Sequence, residues 1–259
     1  MRAALLTLIA VLLIAASAEA RIITREVKYG HEDVMFISYL AYDDATGARR
    51  PGVLVIPEWW GLNEYAKKRA RQLAEMGYVA LAADMYGGGR MTTEYKEAAK
   101  LAAQVRGTPK MRERARLALG VLRRQPVVDA DRLGAIGFCF GGTGVLELAW
   151  SGADVDAVVS FHGGLTMPTP DEAEDVKASI LVLHGAADPH VKQETVRAFI
   201  QGMGKAKLDW VMVFYGGAVH SFTNPAAGRD VASGAAYDPK AAERSWAHMQ
   251  RFLKESLKN

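Results

Sequence analysis

The chain has 259 residues, of which 50% are hydrophobic and 24% charged, with a formal net charge of +3 and a single cysteine. That composition excludes a disulfide scaffold, because one thiol cannot form an intrachain bridge. It also points to no nucleic-acid partner: the basic cluster Lys110, Arg112, Arg114, Arg116, Arg123 and Arg124 lacks interleaved aromatics and reads as a solvated helix face.

The first twenty residues stand apart. Met1-Arg2 supplies a positive start, residues 3–16 are apolar except for Thr7, and Ala16-Ser17-Ala18 and Ala18-Glu19-Ala20 both fit a small-x-small cleavage pattern. The expectation is a signal peptide over 1–20, a periplasmic or secreted protein, and no stable membrane insertion after cleavage. Residues 21–259, about 240 in number, suffice for one monomeric α/β domain with a substantial core.

Segments 22–28 and 34–42 alternate in polarity and read as an antiparallel hairpin, followed by a turn over 43–47. Residues 52–57 form a continuous apolar strand of the kind buried on both faces. Asn63 caps a helix running to Met76, and Gly77 ends it. A strand over 78–84 is followed by helices over 92–104 and 109–124. A short buried strand over 132–137 leads into a helix over 142–150. Strands over 155–162, 179–185 and 209–214 come next, with helices over 192–202 and 239–257. This alternation predicts a mainly parallel sheet with helices on both faces and the hairpin at one edge. Ligands bind such sheets at the carboxyl ends of the strands, a rule that selects Glu58, Trp59, residues 84–86, Cys139, His162, Asp188 and His220.

Cys139 is the centre of Gly137-Phe138-Cys139-Phe140-Gly141, the G-x-nucleophile-x-G pattern of a strand-to-helix elbow with cysteine in the place of serine. The flanking glycines let strand and helix approach each other, the helix N-terminus favours a thiolate, and the Phe140 N–H can face a developing oxyanion. A cysteine nucleophile needs a base and a group to orient it. The order Cys139, Asp188, His220 is nucleophile, acid, histidine along the chain, as in the α/β-hydrolase arrangement. His31 lies in the hairpin, His184 reads as a satisfied core residue, His248 is on the last helix, and His190 follows Asp188 too closely to be oriented by it. His162 ends a strand and can reach the pocket. The His and Asp spacing suggests no metal site, and no cofactor is required.

The segments Val53-Leu54-Val55-Ile56-Pro57-Glu58-Trp59-Trp60-Gly61-Leu62-Asn63, Asp84-Met85-Tyr86-Gly87-Gly88, Gly137-Phe138-Cys139-Phe140-Gly141-Gly142, His184-Gly185-Ala186-Ala187-Asp188-Pro189 and His220-Ser221-Phe222 resemble the dienelactone hydrolase family of α/β-hydrolases. The resemblance implies that fold, a Cys139–His220–Asp188 triad, an oxyanion hole from the Phe140 and Trp59 N–H groups, and Glu58 aimed at the thiol. It implies hydrolysis of a small ester or lactone through an acyl-enzyme. A thioesterase or acyltransferase using the same triad, or a non-catalytic binding protein on the same fold, are the alternatives. Trp60, Tyr86, Phe138, His162 and Asn224 are the expected pocket residues. In family members that hydrolyse dienelactone itself an arginine holds the substrate carboxylate a few residues after the histidine; here Asn224 stands at that place, leaving Arg90, Arg112 or Arg229 to reach the pocket from elsewhere.

Overall fold

The computed structural model describes residues 21–45 and 47–257, so the expected signal peptide lies outside the described residues. Strands β1 (Ile22–His31) and β2 (Val34–Asp43) form the hairpin, followed by β3 (Arg50–Ile56), helix α1 (Glu64–Glu75) and β4 (Val79–Ala82). Then come α2 (Tyr95–Ala103), α3 (Pro109–Arg123), β5 (Val128–Phe138), α4 (Phe140–Trp150) and β6 (Ala157–Phe161). The chain continues through α5 (Pro170–Asp175), β7 (Ser179–Gly185), α6 (Gln193–Ala206), β8 (Trp210–Tyr215) and α7 (Pro239–Ser256).

All eight strands join one sheet in the order β1-β2-β4-β3-β5-β6-β7-β8, antiparallel at the hairpin and where β2 meets β4, and parallel everywhere else. This is the α/β-hydrolase fold. Central strands explain the unbroken apolar runs. On β3, Leu54 and Ile56 enter the core beneath α3 and α4, while Val53 and Val55 enter the opposite core beneath α1 and α7. Asn63 caps α1 as its sequence suggests, its side chain accepting from the Ala66 N–H, and Gly77 adopts φ +91° just past the helix.

Three features depart from the expected elements. β5 begins at Val128 rather than Arg132, with a register shift against β3 at Pro51/Gly52 that absorbs its polar first half. Helix α5 is not among the expected elements, although Thr169 and Glu172 form a reciprocal capping box whose T-x-x-E pattern is legible in the sequence. Two 3-10 turns, Pro225–Ala227 and Val231–Ser233, fold the long segment after His220 back over the carboxyl edge.

Asp84, a candidate for the active edge, serves the fold instead. It is buried, and its carboxylate accepts from the backbone N–H groups of Ile37, Tyr86, Gly87 and Gly89 at 2.7–3.0 Å, fastening the loop after β4 to the hairpin. Asp84→Ala would strand four donors, and a loss of about 4 kcal/mol is expected in denaturant titration.

Candidate active site

Cys139 occupies the tight turn between β5 and α4 with φ +53° and ψ −113°. A Cβ on Gly137 would lie 1.9 Å from the Gly141 carbonyl oxygen, and one on Gly141 would lie 2.1 Å from that of Ile56. The glycines are therefore what allows the helix to start directly over β3. Three of the five non-glycine residues with positive φ among those described, Cys139, His162 and Ser221, cluster here, the concentration of backbone strain usual at functional sites.

His220 comes from the loop after β8 and Asp188 from the loop after β7. Asp188 Oδ2 lies 2.8 Å from His220 Nδ1, and His220 Nε2 lies 3.0 Å from Cys139 Sγ. The second Asp188 oxygen accepts from the His190 N–H at 2.8 Å. Burial alone would lower the His220 pKa. The interactions with the Cys139 sulfur and the hydrogen bond and charge of Asp188 overcome it, raising the imidazole to about 10. Asp188 moves the other way: burial would raise it, but the hydrogen bond and charge of His220 take it below the usual carboxylate value.

Among the described residues the N–H groups of Phe140 and Trp59 have no protein acceptor, and both residues border the thiol's surroundings: Phe140 begins α4, and Trp59 lines the same cavity as Cys139. The Trp59 carbonyl is held by the Tyr86 hydroxyl at 2.9 Å.

Glu58 and Asn224 answer each other rather than the thiol. Asn224 Nδ2 donates to Glu58 Oε2 at 2.6 Å and Ser221 Oγ to Oε1 at 3.4 Å, whereas the thiol's hydrogen-bond partner is His220. Glu58 is buried, and burial pushes its carboxyl up against the opposing pull of Asn224 and His220. The residue standing where the family pattern has a substrate-binding arginine thus orients a buried carboxylate.

Of the expected pocket residues, Trp60 and Asn224 line the cavity, and three others do not. Tyr86 is turned inward beneath Trp59, and Phe138 stacks on Phe161 at 4.6 Å within the core. His162 is fully buried behind Cys139. Its Nδ1 accepts from the Cys139 N–H at 3.1 Å, and its Nε2 lies 2.7 Å from Thr223 Oγ1. Thr223 Oγ1 in turn meets the Tyr65 hydroxyl at 2.7 Å. An accepting Nδ1 requires the proton on Nε2, and burial, together with the charge of His220, holds the His162 pKa well below the ordinary histidine value. The ring consequently ties the Cys139 backbone to the His220 loop. His162→Phe is expected to lower kcat about tenfold or more at little change in KM, with partial rescue by His162→Asn, whose amide oxygen can accept the same N–H and which tolerates a positive φ. Steady-state kinetics of the folded variants check this.

His184 is buried but not satisfied: neither ring nitrogen has a partner among the described residues. Of the arginines considered, Arg90 donates to the Tyr86 and Gly87 carbonyls, and Arg229 lines a separate small pocket. Arg112 does line the cavity, but Glu147 (2.6 Å) and Glu172 neutralise it. Arg106, from the turn between α2 and α3, also lines it and is not among the residues that the sequence singles out. Nothing in its local sequence marks it, because its position depends on how α2 and α3 pack.

A model of the dienelactone hydrolase family matches residues 36–257. The chain belongs to the dienelactone hydrolase family. As a member it is a hydrolase of the ester- and lactone-cleaving kind. It is 43% identical to a solved structure named m3DLH, covering 92% of this chain and 99% of that one with a TM-score of 0.87. It is 41% identical, at the same coverage and TM-score, to the dienelactone hydrolase-like promiscuous phosphotriesterase P91 from metagenomic libraries. A Bradyrhizobium sp protein named "Probable 2-oxo-3-(5-oxofuran-2-ylidene)propanoate lactonase" is 30% identical over 85% of this chain and 90% of its own length.

Proposed function

We propose that this family member hydrolyses a carboxylic ester or lactone with Cys139 as nucleophile. The observation that carries the reading is the unbroken chain from Asp188 through His220 to the Cys139 sulfur, at 2.8 and 3.0 Å. The thiolate attacks the carbonyl carbon, and the oxyanion rests on the Phe140 and Trp59 N–H groups. On collapse the C–O bond breaks and the His220 proton passes to the leaving alkoxide. Acylation removes the charge at sulfur that helps to raise His220, so the pKa of the ring falls and, its proton already given to the leaving group, it acts as a base. Neutral His220 takes a proton from water, hydroxide adds to the thioester, and C–S cleavage restores the thiolate–imidazolium pair. The Bradyrhizobium relative's name supports the lactone half of this reading.

Incubation with p-nitrophenyl acetate followed by intact-mass measurement tests it. An acetyl adduct on the wild type that is absent from Cys139→Ala is expected; equal hydrolysis by both proteins without an adduct would remove Cys139 from the mechanism. Export and a monomeric state are further proposals. Export rests on the pattern in residues 1–20 and is checked by fractionation, and the monomer is checked by light scattering. No helix of the described residues is long and apolar enough to cross a membrane.

A further inference from the structure

We infer that the substrate carries an aromatic group, seated against a wall formed by Trp59, Trp60, Met91 and Tyr95. The inference rests on the hydrolase reading and names the substrate class of that site. Folding normally buries large apolar side chains, yet Tyr95 is 68% and Met91 55% exposed, and both line the cavity that contains Cys139. The Trp59 ring meets Tyr95 edge-on, with centroids 4.8 Å apart at 86°, and Trp60 at 5.1 Å and 61°. An edge-on pair covers a face of only one of its two rings, and aromatic quadrupoles favour offset or edge-on packing of a further ring against such a cluster.

The wall is built rather than incidental. A β-bridge joins Gly61 to Met91, and the Thr92 N–H donates to the Trp60 carbonyl at 3.0 Å. The bridge needs a glycine: Gly61 has φ +83°, and a Cβ there would lie 2.2 Å from the Arg90 carbonyl oxygen. From beneath, the buried Tyr86 hydroxyl holds the Trp59 carbonyl. The same residue, Trp59, therefore presents its ring to the wall and its N–H to the reacting carbonyl.

Cavity size points the same way. At about 1370 Å³ the space exceeds the roughly 300–1,000 Å³ that encloses a drug-sized ligand, so a two-carbon ester would touch only a fraction of its lining. Arg112, which also lines the cavity, is neutralised by Glu147 and Glu172, so that charge does not compete with an apolar occupant.

The test compares benzyl acetate and ethyl phenylacetate with ethyl acetate, alcohols and acids of similar intrinsic reactivity. At least one aromatic ester is expected to show a kcat/KM about tenfold or more above ethyl acetate, and the double variant Met91→Ala/Tyr95→Ala should collapse that ratio, mainly through KM. Equal kcat/KM for all three esters, or a ratio unchanged in the double variant, overturns the inference while leaving hydrolysis intact. Should the wild type hydrolyse none of them, the hydrolase reading falls and binding decides the inference alone. Ethyl phenylacetate added to Cys139→Ser should then shift the Met91 methyl resonance upfield through the ring current, ethyl acetate should not, and absence of that shift overturns it.

Discussion

Cys139→Ala is expected to lower kcat/KM for p-nitrophenyl acetate by about three to six orders of magnitude, to the residual level supplied by binding and the oxyanion donors. The size follows from the proposed mechanism, in which the one sulfur 3.0 Å from His220 Nε2 is both the attacking atom and a group whose charge favours a protonated ring. The two roles separate in Cys139→Ser. The hydroxyl carries no charge at neutral pH, so burial of His220 is opposed by Asp188 alone and its titration midpoint falls from about 10. The sign for activity follows. For an unactivated alkyl ester the proposed acylation needs protonated His220 as the acid for the leaving alkoxide, so kcat/KM of the wild type for such an ester should hold through neutral pH and fall as pH rises through about 10. Imidazole proton resonances followed over pH in the wild type and Cys139→Ser measure the midpoints directly. An unchanged midpoint in the serine variant would show that no thiolate faces the ring.

Gly141→Ala is expected to cost about 3 kcal/mol or more and to abolish most activity in whatever folds. Its Cβ would lie 2.1 Å from the Ile56 carbonyl oxygen and 2.6 Å from that of Pro57, and both are backbone atoms with no rotamer to yield. Relief requires α4 to move away from the end of β3, and that movement separates the Phe140 N–H from Trp59, three residues beyond Ile56. The same substitution at Gly204 gives the opposite sign. That glycine lies within α6, and nothing comes within 4 Å of the place its added methyl would take, so Gly204→Ala should stabilise by about 0.5–1 kcal/mol. Urea titration of the pair separates a steric requirement for glycine from a merely tolerated one.

Much of the fold is legible because its signals are local. The apolar run 52–57 is continuous since both faces of β3 are covered, and the Asn63 and Gly77 signals mark both ends of α1 within one turn. The site is legible in its chain order: each of Cys139, Asp188 and His220 follows a strand of the parallel part of one sheet, and so all three reach the same edge. Direction at that edge is another matter. Strand-end position makes His162, Tyr86, Asp84 and Glu58 equivalent candidates, yet His162 turns at φ +40° behind Cys139, Tyr86 and Asp84 turn into the loop after β4, and Glu58 turns to Asn224.

The sequence by itself determined the order of the eight strands and of every helix but α5, the glycine-framed elbow at Cys139 and the family to which the chain belongs, because periodicity, caps and tight turns are written in neighbouring residues. Only the tertiary structure decided which side chains at the carboxyl edge face the cavity. The Glu58–Asn224 bond spans 166 positions, the Tyr65–Thr223 bond 158, and Arg106 reaches the cavity only through the packing of α2 and α3. Such contacts are chosen by which groups can satisfy one another once water is excluded, and that choice exists only in the folded molecule.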